Sequence, residues 1–169
     1  MTESMTETTA PPLMQRFPEE LVASSLFLLK RLGMAAKEQS FCAYDDLGLH
    51  PYHHAILASL DEGSHETQGA IADALGYDRG QLVGLLDDLE TLGLLERKRD
   101  PADRRRHVVR MTSAGRKTLE RLRRLSAHVD DEFFSPLSPG DREQLHALLV
   151  RLAEEHLPRS RVAVPVQKK

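Results

Sequence analysis

Apolar positions recur with helical spacing over most of this chain. After Pro18, with Glu19 and Glu20 placed for the positive end of a helix dipole, Val22, Leu26, Leu29, Gly33 and Ala36 form one stripe. Leu21, Leu28, Leu32 and Ala35 widen it. So broad a face on a first helix predicts a packing partner. Asp45 to Gly48 is a break. Pro51 opens a second predicted helix with Ile56, Leu57 and Leu60, ended by Gly63. Thr67 is the expected N-cap of a short third helix (Ile71, Ala72, Leu75), closed by Gly76. Asp78 is placed to cap a fourth, which carries Leu82, Leu85, Leu86, Leu89 and Leu92 and stops at Gly93.

The period then changes. Leu94 to Lys98 and His107 to Met111 read as two short strands around the turn Asp100-Pro101-Ala102-Asp103. Thr112 or Ser113 caps a long fifth helix through Leu119, Leu122, Leu125 and Val129, interrupted by Pro136. Ser138, with Asp141 three residues on, starts a sixth helix with Leu145, Leu148, Leu149 and Leu152. Residues 1–14 are rich in Thr, Glu and Pro and read as a disordered arm, and 159–169 as a tail.

Charge alters this picture through its distribution. The formal net charge of 169 residues is only -3. Between Leu94 and Ser126, however, stand twelve Lys or Arg against four Asp or Glu. Such segregation concentrates positive potential on one part of the fold and points to an anionic partner. One cysteine, Cys42, excludes an intramolecular disulfide and is expected to be a buried, inert thiol. No apolar run approaches about 18 residues, and the N-terminus lacks a secretory pattern, so the expectation is a cytoplasmic protein without a membrane partner. There is no Gly-rich phosphate loop and no nucleophile elbow, so neither an enzyme nor a cofactor is expected. His50, His53 and His54 cluster, but no second cysteine supports a metal site. They read as pocket or interface lining, or surface, with a metal-, redox- or pH-responsive regulator as the alternative.

A short helix, a turn, a second helix and then a hairpin is the order of a winged helix-turn-helix. The second helix can enter a major groove about 12 Å wide, and the basic hairpin tip can reach phosphate or the minor groove. The segment Asp100-Pro101-Ala102-Asp103-Arg104-Arg105, followed by Val108, Arg110 and Thr112 in alternation, resembles the wing of the MarR family (multiple antibiotic resistance regulators). Thr67-Gln68 with Ile71-Ala72, Leu75-Gly76, Leu85 through Arg97, and Thr112 with Gly115 are similar to that family in order and spacing.

The resemblance implies a mainly α fold: a winged helix-turn-helix with a small antiparallel β-hairpin wing and N- and C-terminal dimerisation helices. The divisions it implies are 15–48 for the N-terminal dimerisation helix, 49–115 for the DNA-binding domain and 116–158 for the C-terminal dimerisation helices. It implies a homodimer on a palindromic double-stranded operator, acting as a repressor relieved by a small phenolic or anionic effector. Arg79 and Gln81, in the first turn of the recognition helix, are expected to touch bases or nearby phosphates, and Gln68 a phosphate. Arg104, Arg105 and Arg106 belong to the wing, with Asp103 orienting an arginine. Tyr52, His53 and Arg121 are candidate effector-binding residues. One departure stands out: Gly80, Gly84, Asp87 and Asp88 occupy the recognition helix, where acid would repel phosphate and glycine weakens the helix or permits close approach. A winged-helix adaptor that binds another protein is the rival reading.

Overall fold

The structure, a computed structural model, describes residues 16–63, 67–99 and 107–157. Helices α1 (Glu19–Val22), α2 (Ser25–Asp45), α3 (Pro51–Asp61), α4 (Gln68–Leu75) and α5 (Arg79–Thr91) precede strands β1 (Leu95–Arg99) and β2 (His107–Met111). Helices α6 (Ser113–Phe133) and α7 (Pro139–His156) follow. The fold is mainly helical with one two-stranded antiparallel sheet, in which Leu95 faces Met111 and Arg99 faces His107. The chain divides into two compact units, Met1–Gln39 and Ser40–Lys169.

In the first unit the predicted first helix is broken. The Ser24 hydroxyl accepts from the Phe27 N–H at 3.3 Å, so a hydroxyl that competes for backbone bonds ends α1 and starts α2. Phe17 packs edge-on against Phe27 at 5.5 Å, and the Arg31 guanidinium lies over the Phe17 ring.

The second unit forms one apolar core. Ile56 and Leu57 of α3, Leu82, Leu86 and Leu89 of α5, and Leu119 and Leu122 of α6 are fully buried, together with Leu95 and Val109 of the hairpin. In α5 the buried leucines stand at i, i+4 and i+7, and in α6 at i and i+3, the spacing of an amphipathic helix. Cys42 departs from expectation: it is exposed. The buried Tyr44 is two residues on, so Cys42 lies about 160° away around the helix.

Local chemistry sets the joints. Gly76 at φ 67° and Gly93 at φ 68° end α4 and α5 in left-handed turns that a Cβ disfavours. The strand begins one residue later than expected because Leu94 belongs to that turn: its N–H donates to the Leu89 carbonyl at 2.9 Å. Thr112 closes the hairpin base. Its hydroxyl donates to the Gly93 carbonyl at 2.7 Å and accepts from the Gly115 N–H at 3.0 Å, while its own N–H donates to the Leu94 carbonyl at 3.0 Å. At the far end of α6, Arg142 donates to the Phe134 carbonyl and to Asp131, both at 3.0 Å, which braces the corner into α7.

A Cβ on Gly115 would lie 2.0 Å from the Leu94 carbonyl oxygen and 2.7 Å from Met111 Cγ. Both neighbours belong to the hairpin base, and the oxygen is backbone that cannot move aside cheaply. Gly115→Ala is therefore expected to destabilise the protein by about 3 kcal/mol, through overpacking and loss of the hairpin-base bonds. Urea unfolding of the variant beside the parent checks this.

Candidate nucleic-acid interface

Two side-chain caps place the helix pair. Thr67 Oγ1 accepts from the Ala70 N–H at 3.2 Å and starts α4. Asp78 Oδ1 accepts from the Gly80 and Gln81 N–H groups, at 2.8 and 3.3 Å, and starts α5. Thr67 also pairs with Val108 in an isolated antiparallel bridge, which ties the start of α4 to β2. An open cleft of about 560 Å³ lies between α4, α5 and the hairpin. Gln68 and Arg79 both line it, as do Val83 and His107. Gln81, by contrast, is half-buried and does not line this cleft. Asp103, Arg104, Arg105 and Arg106 lie outside the described residues.

The acidic residues of α5 have a task within the protein. Arg97 of β1 donates through Nε to Glu90 Oε2 at 2.9 Å and through a terminal nitrogen to Glu90 Oε2 at 2.6 Å. The same nitrogen reaches Asp87 Oδ1 at 2.5 Å, and the Arg97 backbone N–H donates to Glu90 Oε1 at 2.9 Å. These hydrogen bonds from Arg97 hold the Glu90 carboxyl below its ordinary range. Asp87 is thus charge-compensated, which removes much of the repulsion its position suggested. Sequence reading missed this network because the pairs are seven and ten residues apart across a turn. The signal was the coincidence of Asp87, Glu90 and Arg97 around a helix-stopping glycine. On the hairpin, Lys98, Arg99, His107 and Arg110 remain exposed.

Comparison with known proteins fits this geometry. The MarR family model matches residues 47–106. A Thauera aromatica relative, a putative transcriptional regulatory protein for hcr operon, is 33% identical over 105 residues, 62% of this chain and 63% of that protein. The match therefore spans just under two thirds of that relative's length. The solved structure of the transcriptional repressor CouR bound to a 23-mer DNA duplex is 33% identical and superimposes with a TM-score of 0.73, covering 80% of this chain and 96% of that one. The chain belongs to the MarR family. A further MarR-type fold is the PcaV transcriptional regulator from Streptomyces coelicolor, solved in complex with its natural ligand; it is 25% identical with a TM-score of 0.66, covering 79% of this chain and 94% of that one. This MarR-family chain is a DNA-binding transcriptional regulator and not an enzyme.

Beneath the recognition helix α5 of this MarR-family protein sits an aromatic cluster. His50 and His53 stack at 4.2 Å, and Tyr52 packs edge-on against Phe41 and Tyr77 at 5.5 and 5.6 Å. His53 Nδ1 accepts from the His50 N–H at 3.3 Å, so its Nε2 carries the proton of the neutral ring. Nε2 lies 3.7 Å from Asp88 of α5 and, among the described residues, makes no hydrogen bond. His54 turns the other way and shares a 2.7 Å hydrogen bond with the Tyr44 hydroxyl. Arg121 stands apart: it lines two shallow clefts with Leu47, and neither is lined by Tyr52 or His53. Among the described residues no three His, Cys, Asp or Glu side chains converge to hold a metal. No described helix is long and apolar enough to cross a membrane.

Burial, reinforced by the neighbouring His50, pushes the His53 imidazole down to about 4, against the pull of Asp88. Between its ordinary 6.5 and that value the unfolded chain binds more protons than the folded one, so stability falls as pH falls through this window. The loss attributable to His53 is on the order of 3 kcal/mol. Denaturant unfolding at pH 7 and pH 4.5 should show a markedly smaller pH loss for His53→Gln than for the parent; equal losses would refute the assignment.

Proposed function

We propose that this regulator is a homodimeric repressor that binds a palindromic operator and is released from it by a small phenolic or anionic effector. The observation that carries the DNA-binding half is the shared cleft of Gln68 and Arg79 at the capped starts of α4 and α5, with the basic hairpin beside it. Arg79 reaches phosphate or a base edge from the first turn of α5, Gln68 holds a phosphate, and Gln81 supports recognition from the flank of the helix. On the wing, Arg104, Arg105 and Arg106 engage the backbone and minor groove, and Asp103 orients one of them. The similarity to the CouR repressor bound to a DNA duplex supports duplex DNA as the partner.

Dimerisation is supported by apolar faces that the single chain leaves uncovered. Leu26, Leu29, Leu32 and Met34 of α2 are exposed, as are Leu148, Val150 and Leu152 of α7. Helix α7 buries no residue at all in the described chain. Exposure of this extent marks an interface. A two-fold axis would set the two recognition helices about one turn, roughly 34 Å, apart on a palindrome.

The effector half is supported by the PcaV complex with its natural ligand and by the phenols of Tyr52 and Tyr77 beside the buried, neutral His53 imidazole. Burial raises Tyr52, and burial together with Tyr52 pushes Tyr77 up to about 12, so both phenols are uncharged donors and acceptors. Arg121 would meet an anionic group entering from the clefts beside Leu47. A ligand seated there acts on DNA affinity only by preferring one spacing of the recognition helices over another.

Gel-shift titration against a salt series tests the reading. The parent should bind duplex DNA with affinity falling steeply as salt rises, and Arg104→Ala with Arg105→Ala should reduce the salt slope by about one to two units. Arg79→Ala should weaken binding while leaving the fold intact. Absence of salt-sensitive duplex binding would favour a protein-binding adaptor. A monomer by sedimentation equilibrium at micromolar concentration would overturn the dimer.

A further inference from the structure

The exposed face of α5 over its first two turns is Arg79, Gly80, Val83 and Gly84. Val83 is out of place there by intramolecular standards. It is 43% exposed, whereas Leu82, Leu86 and Leu89 of the same helix are buried. A β-branched side chain is a poor helix former, and this one buries little in return. It forms part of the cleft wall shared with Gln68, Arg79 and His107.

The flanking glycines carry the same implication. Neither has the positive φ that would call for glycine, since those positions are Gly48, Gly63, Gly76 and Gly93. At Gly80 a Cβ would crowd the capping Asp78 Oδ1 at 3.1 Å, so that glycine has a partial internal reason. At Gly84 a Cβ would meet nothing within 4 Å, so its cost to the helix is not offset by packing inside the chain. A valine between two bare backbone positions suits a surface that approaches closely and offers an apolar group. In the major groove only thymine presents one, the C5-methyl.

We infer that Val83 reads a thymine methyl in each half-site, with Gly84 clearing the approach of the helix to the groove. The inference rests on α5 being the element that enters the major groove. Arg79, at the mouth of the same cleft, supplies the charged contact, and the Arg97 clamp keeps Asp87 from opposing it. Recognition is thus of shape and methyl at this position, with no side-chain hydrogen bond to the base.

The test uses the full chain and duplexes selected from a random pool. In the selected duplex, each thymine is replaced in turn by deoxyuridine, which removes the methyl and leaves pairing intact. The parent should bind about fourfold more weakly when the contacted methyl is lost. Val83→Ala should show no thymine–uracil difference at that position. Gly84→Ala should melt at a temperature equal to or above the parent's and yet bind the selected duplex at least tenfold more weakly. Equal binding of thymine and uracil duplexes at every position overturns the inference alone, as does a Val83→Ala protein that keeps the full difference. Parental affinity in Gly84→Ala overturns the role given to that glycine. If no duplex is enriched at all, the docking of α5 falls, and this inference with it.

Discussion

Arg97 makes the recognition helix and the wing a single body. A two-stranded hairpin is marginal alone in water, and among the described residues no third full strand pairs with this one. Its inner face contributes Leu95 and Val109 to the core, but its direction is set where the Arg97 guanidinium and backbone N–H are both held by Glu90, with Asp87 on the other side. Each of these groups is partly exposed, so the pairwise energies are modest. Their value is geometric: a planar guanidinium fixed at several points leaves the strand little freedom to swing relative to α5. Strand β1 and helix α5 are therefore held in one register with each other.

Much of this architecture is local and was legible for that reason. Thr67, Asp78, Thr112 and Ser138 all accept the backbone bonds their positions predicted, and Gly76 and Gly93 take the left-handed turns that stop α4 and α5. The 3.6-residue period found the buried face of α5 and α6. What escaped was either a competition or a meeting at a distance. Ser24 divides the first helix because a hydroxyl can cap as readily as it can tolerate a helix interior. Cys42 is exposed because one residue's place around α2 follows from where Tyr44 packs, which no periodicity of α2 alone determines. Arg97 reads as one more cation in a basic run until the turn at Gly93 folds it onto α5. At the interface, Gln68 and Arg79 meet in one cleft as their cap positions imply, whereas Gln81 is turned partly inward. The wing arginines and Asp103 lie outside the described residues.

The underside of α5 is as constrained as its outer face. Asp88 hangs over a histidine that burial keeps neutral, and that histidine uses its other nitrogen to hold the start of α3. The ring can therefore accept no proton on Nδ1 without giving up the His50 N–H. Changes among the rings around Tyr52, Tyr77 and His50 can reach α5 through the His53–Asp88 approach and through the packing of Leu82 and Leu86. Helix α5 thus rests, through Asp88, on the aromatic cluster around His53.

Thr112 closes the hairpin at its base, where its hydroxyl and N–H join Gly93, Leu94 and Gly115. The enclosed segment is anchored there regardless of what the tip contains. Lengthening a loop whose ends are already fixed is cheap: doubling it costs only about 0.6 kcal/mol of closure entropy. The reach of the wing is consequently an evolvable quantity. Insertions or deletions between Arg99 and His107 can therefore be accommodated while the helix pair, the clamp and the core keep their places.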